Sequence, residues 1–80
     1  MGQVLWTGEA RAVLHELPVR EPEQIARKTA FLRRFPRMYP VMGKGRFRRH
    51  RRFLAGDWVV YYRVVGNTVY VRGLWPARIP

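Results

Sequence analysis

Residues 56–71 read GDWVVYYRVVGNTVYV, and this stretch decides the fold. Trp58–Val65 is a run of β-branched and aromatic residues, the composition of a strand. Gly66-Asn67 is a two-residue hairpin turn with glycine where positive φ is needed, and Thr68–Trp75 is the returning strand. That loop pairs Val65 with Thr68, Val64 with Val69, Tyr62 with Val71, Val60 with Gly73 and Trp58 with Trp75. The last four pairs share an almost wholly apolar face suited to packing against helices, with Trp58 and Trp75 in the core. The opposite face carries Val59, Tyr61, Arg63, Val65, Thr68, Tyr70, Arg72 and Leu74. Pro76 and Pro80 keep the last residues out of a ladder.

Upstream, Arg46–Leu54 reads as a basic strand joined to the hairpin by a turn at Ala55-Gly56-Asp57. A two-residue loop at Ala55-Gly56 adds Arg48, His50 and Arg52 to the polar face, whereas a three-residue loop adds Arg49 and Arg51; both remain open. Residues 36–45 (PRMYPVMGKG) hold two prolines and two glycines, so they form a loop. Before it come two short helices. In the first, capped by Thr7 and ended by Pro18, Ala10, Val13, Leu14 and Leu17 fall on one face. The second has Pro22 at its start, Glu21 and Glu23 near its positive end, and Ile25, Thr29, Leu32 and Phe35 as its buried stripe, with Pro36 as its stop. Gln3–Thr7 (QVLWT) reads as an N-terminal strand. Together these elements predict an α+β fold: an N-terminal strand and an αα-hairpin packed on a twisted antiparallel sheet. The 80 residues have room for one domain, 1–80.

Charge sets the class of partner. Sixteen Lys and Arg against five Asp and Glu give +11, and fourteen of the cations are Arg. Residues 1–23 hold two arginines against four glutamates, a balance of −2; residues 24–80 hold fourteen cations against Asp57 alone, a balance of +13. A surface so one-sided repels itself and seeks a polyanion or an acidic partner. There is no cysteine, which excludes disulfides, thiolate zinc sites and thiol nucleophiles. The sequence predicts no cofactor and no metal, for it lacks a P-loop, a GxGxxG stretch, a paired-carboxylate site and a nucleophile constellation. MGQVLWTGEA has neither a basic leader nor a long apolar run, and no stretch approaches the roughly 20 apolar residues of a spanning helix. The expectation is a cytoplasmic protein with no membrane partner.

Lys44–Arg52 (KGRFRRHRR) concentrates six cations in nine residues. Guanidinium groups bind phosphate bidentately, and a lysine ammonium binds it as a point charge. Lys44, Arg46, Arg49, Arg51 and Arg72 are therefore candidate RNA contacts, with Tyr61 and Tyr70 as platforms for unstacked bases. His50 is the one group in the stretch that titrates near neutrality, and a neutral imidazole beside a bound phosphate can take a proton from a 2′-OH. His15 lies on the first helix beside Glu16 and reads as surface or helix packing.

The chain resembles the RelE/ParE superfamily of bacterial type II toxin–antitoxin toxins. The resemblance is carried by VLWTGEA at 4–10, LRRFP at 32–36, GDWVVYYRVVGNTVYV at 56–71 and LWPAR at 74–78, in that order along nearly the whole chain. It implies a toxin neutralised by a cognate acidic antitoxin that masks the basic surface. RelE-like members cleave mRNA in the ribosomal A site without a metal: a 2′-OH attacks the adjacent phosphate while basic side chains stabilise the phosphorane. By this resemblance the catalytic set draws on Arg48, His50, Arg52 and Arg78, with Arg63 on the same face as the substitute for the arginine missing after Trp58, and with mRNA and the ribosome as partners. The chain has Val59 after Trp58 where family RNases commonly carry Arg, and no Tyr or His follows Arg78. ParE-like members act instead on DNA gyrase, so gyrase inhibition and non-catalytic binding of RNA or ribosomes are the alternatives.

Overall fold

The computed structural model describes residues 2–18, 20–42 and 44–77. Strand β1 (Gln3–Trp6) leads into helix α1 (Gly8–His15), helix α2 (Arg20–Ala30) and a 3₁₀ turn (Phe31–Arg33). A second 3₁₀ turn (Gly45–Phe47) precedes strands β2 (Arg51–Ala55), β3 (Trp58–Val65) and β4 (Thr68–Pro76). The sheet order is β1-β4-β3-β2. Its last three strands are antiparallel, as the hairpin pattern requires, while β1 runs parallel to β4 with Val4 opposite Val69 and Trp6 opposite Val71.

The helices form where the sequence places them. Thr7 caps α1, its hydroxyl accepting from the Ala10 amide at 3.3 Å. Helix α2 starts before Pro22, which still lies in the first turn, where a missing N–H loses no helical bond. Ala10, Ile25, Thr29 and Leu32 are buried, and the Thr29 hydroxyl is satisfied by the Ile25 carbonyl at 2.6 Å. The helices cover Phe53, Ala55, Val60, Tyr62, Val69, Val71 and Leu74 on one sheet face, with Val4, Trp6, Val13, Leu14, Leu17 and Trp58 at the margin. Each fully buried aliphatic side chain here contributes about 1.5–3 kcal/mol. Phe35 does not join them. The tight turn after Ala30 ends the α-helical phase, and Phe35 stays 58% exposed.

The hairpin follows the expected register from Val65↔Thr68 to Tyr62↔Val71 and then departs from it. Tyr61 pairs with Gly73, and Arg72 is an extra residue with no partner in β3. Val60 therefore pairs with Leu74, and Trp58 with Pro76, instead of with Gly73 and Trp75. The bulge reverses the faces of the last residues. Leu74, expected on the polar face, is 4% exposed in the core; Trp75, expected in the core, is 48% exposed on the other side.

The basic strand is shorter than its composition indicates. Gly45 takes φ +59° and Arg49 φ +70°, so residues 45–50 turn back on themselves and β2 begins only at Arg51. Its loop is Gly56-Asp57, with Ala55 opposite Trp58 and Arg52 opposite Tyr61. Arg52 thus lies on the outward face, and Arg51 lies with Tyr62 on the helical side. Arg51 is a structural clamp there, its Nη1 donating to the carbonyls of Tyr39 at 2.6 Å and Arg37 at 3.3 Å. Lys28 Nζ donates to the Leu54 carbonyl at 2.7 Å from helix α2.

Candidate nucleic-acid interface

The outward face of the sheet is built in rows set by the strand register. Leu54, Val59 and Trp75 form the row near the ends of the hairpin. Arg52, Tyr61 and Gly73 form the next, and Arg63, Tyr70 and Leu5 the one beyond. Arg52 and Arg63 are diagonal neighbours across β2 and β3, a relation that puts backbone positions about 7–8 Å apart, within common reach of one phosphate group. Among the described residues, Arg46 is the one cation in an ion pair, its Nη2 lying 2.6 Å from Glu9 Oε1 and 2.8 Å from Oε2. Arg48, Arg49, Arg63 and Arg72 are exposed and Arg52 is half-buried, none with an acidic partner among those residues. These permanently charged groups are left to solvent or to a polyanion.

The turn over residues 45–50 modifies this face. Phe47 folds back over the sheet and is 7% exposed. Its ring stacks on Tyr61 with centroids 4.4 Å apart and planes 3° from parallel, and meets Trp75 edge-on at 6.3 Å. Gly73 makes this seat possible, since a Cβ there would stand 2.5 Å from Phe47 Cζ. Arg46 lies above the same Phe47 ring, its Cζ 5.1 Å from the centroid. Phe47 is the lone apolar residue within Lys44–Arg52, and that was the sequence signal for a ring anchored among the arginines.

The expected contacts are therefore divided. Tyr61, Tyr70, Arg52, Arg63 and Arg72 belong to β2–β4, Tyr61 with one ring face already taken by Phe47. Lys44, Arg46, Arg48 and Arg49 are exposed on the turn leading into β2. Arg51 belongs to the helical side. Arg78 lies outside the described residues. His50, expected as a solvent-facing base, is only 5% exposed. Its Nδ1 lies 3.1 Å from the Arg48 carbonyl, so Nδ1 carries the donated proton. Nε2 is buried with no hydrogen-bond partner, closed off from any substrate on the open face. Among the described residues, Tyr62 is the other side chain with a buried polar atom lacking a hydrogen bond. Burial pushes its phenol above the ordinary value of 10.0, against the opposing pull of the Tyr39 backbone and the Arg51 charge. Among the described residues no three His, Cys, Asp or Glu side chains converge, so no metal-binding set can be named. No helix among them is long and apolar enough to cross a membrane.

No protein-family model matches the chain, and no curated protein matches it. Solved structures do. A chain of the intact Escherichia coli RelBE toxin–antitoxin complex superposes with a TM-score of 0.80 at 16% identity, covering 99% of this chain and 100% of that one. The isolated E. coli RelE toxin superposes with a TM-score of 0.81 at 15% identity, covering 100% of this chain and 88% of that one. The chain has the RelE fold. At these identities the RelE likeness is one of backbone path, and the side chains of the outward face are this chain's own.

Proposed function

We propose that this chain is the toxin of a toxin–antitoxin pair, and that it is a metal-independent, ribosome-dependent mRNA endonuclease of the cytoplasm. The observation that carries this reading is the pair Arg52 and Arg63, unpaired with acid and diagonal to each other on the outward face of a RelE fold. The chemistry is an in-line attack. The 2′-oxygen bonds to the adjacent phosphorus, the bond to the 5′-oxygen breaks, and the products are a 2′,3′-cyclic phosphate and a free 5′-hydroxyl. The proton lost by the 2′-OH passes to water, and the departing 5′-oxygen takes one from water. Arg52 and Arg63 stabilise the extra negative charge of the phosphorane, with Arg48 and Arg72 holding flanking phosphates. His50 is not assigned the base, because its free nitrogen is sealed. Alignment of the attacking oxygen falls to the ribosome.

Primer extension on translating ribosomes tests this. Wild type should cut in phase with codons, and Arg63→Ala should lower the rate about 100-fold, the usual cost of removing one transition-state donor. Absence of phased cutting by wild type would sink the nuclease reading. The sealed imidazole favours one alternative, inhibition of DNA gyrase, which needs no general base. Accumulated cleavage complexes with purified gyrase would support it. An acidic antitoxin segment should cover the arginine face in either case, and co-expression should yield a complex.

A further inference from the structure

A cleft of about 420 Å³ opens beside the arginines, lined by Arg46, Phe47, Val59, Tyr61, Trp75 and Pro76. The reversal at Arg72 creates it by bringing Trp75 to the outward face, where about half of its surface stays open. Phe47, Tyr61 and Trp75 are already in ring contact, so the aromatic walls are held in place before anything binds. The rim is cationic. Arg46 is held by its seat over the Phe47 ring and by an ion pair whose two side chains are 59% and 62% exposed, so it can exchange Glu9 for a phosphate at little cost. Arg52 stands on the neighbouring row, opposite Tyr61. An open aromatic surface of this size beside Arg46, held by an exposed ion pair, and Arg52, which has no acidic partner among the described residues, matches one chemistry best, a planar heterocycle attached to a phosphate.

We propose that this cleft binds one unstacked base of single-stranded RNA, with Trp75 as the stacking platform and Arg46 on the adjoining phosphate. The proposal rests on the RNA reading given above and names the base-binding element of that surface. It moves the platform from Tyr61, one of whose faces Phe47 occupies, to Trp75.

The probe is a short single-stranded RNA with 2′-O-methyl sugars, which cannot be cut by 2′-oxygen attack. It is compared by fluorescence anisotropy with the same strand carrying one abasic sugar at each position in turn. Removing the bound base should weaken wild type about tenfold. Trp75→Ala should weaken binding of the intact strand by the same factor and lose nothing further on the abasic strand, while Trp75→Phe recovers part of the loss. The abasic comparison is made within each variant, so partial unfolding cannot imitate this pattern. The salt dependence should be unchanged in Trp75→Ala and shallower by about 0.7 in log–log slope in Arg46→Ala, one phosphate contact fewer. A flat abasic scan, or Trp75→Ala equal to wild type on the intact strand, would overturn the cleft and leave the nuclease reading standing. Base-dependent binding without codon-phased cutting would do the reverse. Failure of wild type to bind the strand at low salt would likewise overturn the cleft, the nuclease reading being decided by cutting on translating ribosomes.

Discussion

The β3–β4 hairpin has two halves built on different rules. Near the turn, from Val65↔Thr68 to Tyr62↔Val71, residues alternate strictly between the helical side and the open side. Beyond Arg72 the alternation restarts with opposite sense, so Leu74 goes in and Trp75 comes out. The first half is occupied with stability: Tyr62, Val69 and Val71 are fully buried under the helices. The second half divides its residues between core and surface, and builds on its outer side a cluster of Phe47, Tyr61 and Trp75 among arginines. One extra residue thus turns a sheet that is merely covered on one side into a sheet with a shaped opposite surface.

Deleting Arg72 is the severest way to break the contrast. The far half would then continue the phase of the near half, turning Leu74 outward and Trp75 toward the helices. We expect a loss of about 4 kcal/mol or more, from the exposed leucine and the overfilled core together, read as a collapsed melting transition. A deletion variant that melts with wild type would show that the bulge carries no weight.

Gly73→Val is a milder break confined to the far half. Its side chain meets Phe47 from the first carbon, since a Cβ there would stand 2.5 Å from Cζ, so the ring must leave Tyr61. The expected cost is about 1–3 kcal/mol, or roughly 5–20 °C in Tm for a domain of this size. Adding Phe47→Ala should return part of it, and a calorimetric cycle of the two changes measures the coupling.

Tyr62→Phe sharpens the comparison from the near half with the smallest effect. The Tyr62 hydroxyl is buried without a hydrogen bond, so its removal should shift stability by less than about 1 kcal/mol at pH 7. Its phenol is raised in the fold relative to the ordinary value of 10.0. Above that value the unfolded chain loses the proton first, and stability falls as pH rises toward the folded phenol's own titration. Denaturant midpoints should therefore decline above pH 10 in wild type and decline less in Tyr62→Phe. Parallel declines would assign the alkaline loss to other groups.

What could be read from the sequence follows the same division. The turn at Gly66-Asn67, the alternation through Tyr62, the Thr7 cap and the buried stripe Ile25, Thr29 and Leu32 are local patterns, and each is present in the fold. The bulge is not local. Beside it Phe47 lies over Gly73, a contact between residues far apart in the chain, and no periodicity within 68–76 encodes the extra residue. The basic strand failed for a related reason. A run of arginines carries no turn signature, yet residues 45–50 reverse through Gly45 and Arg49. The arginine face itself survived both departures, because Arg52 and Arg63 have the same parity relative to Tyr61 in the observed register. Sequence reasoning gave His50 to the solvent, when its place just before β2 encloses it under Phe47, whose ring meets the imidazole edge-on at 5.6 Å.

The parallel pairing of Gln3–Trp6 with residues 68–71 also fixes an order of events. During synthesis β1 leaves the exit tunnel first and waits, unmatched, until β4 follows. Contacts so distant in sequence form late and make closure slow. The layer therefore cannot be completed on a nascent chain that still lacks its fourth strand. Until residues 68–71 are available, Gln3–Trp6 has no neighbour to pair with, so the edge strand is seated by the hairpin and not the reverse.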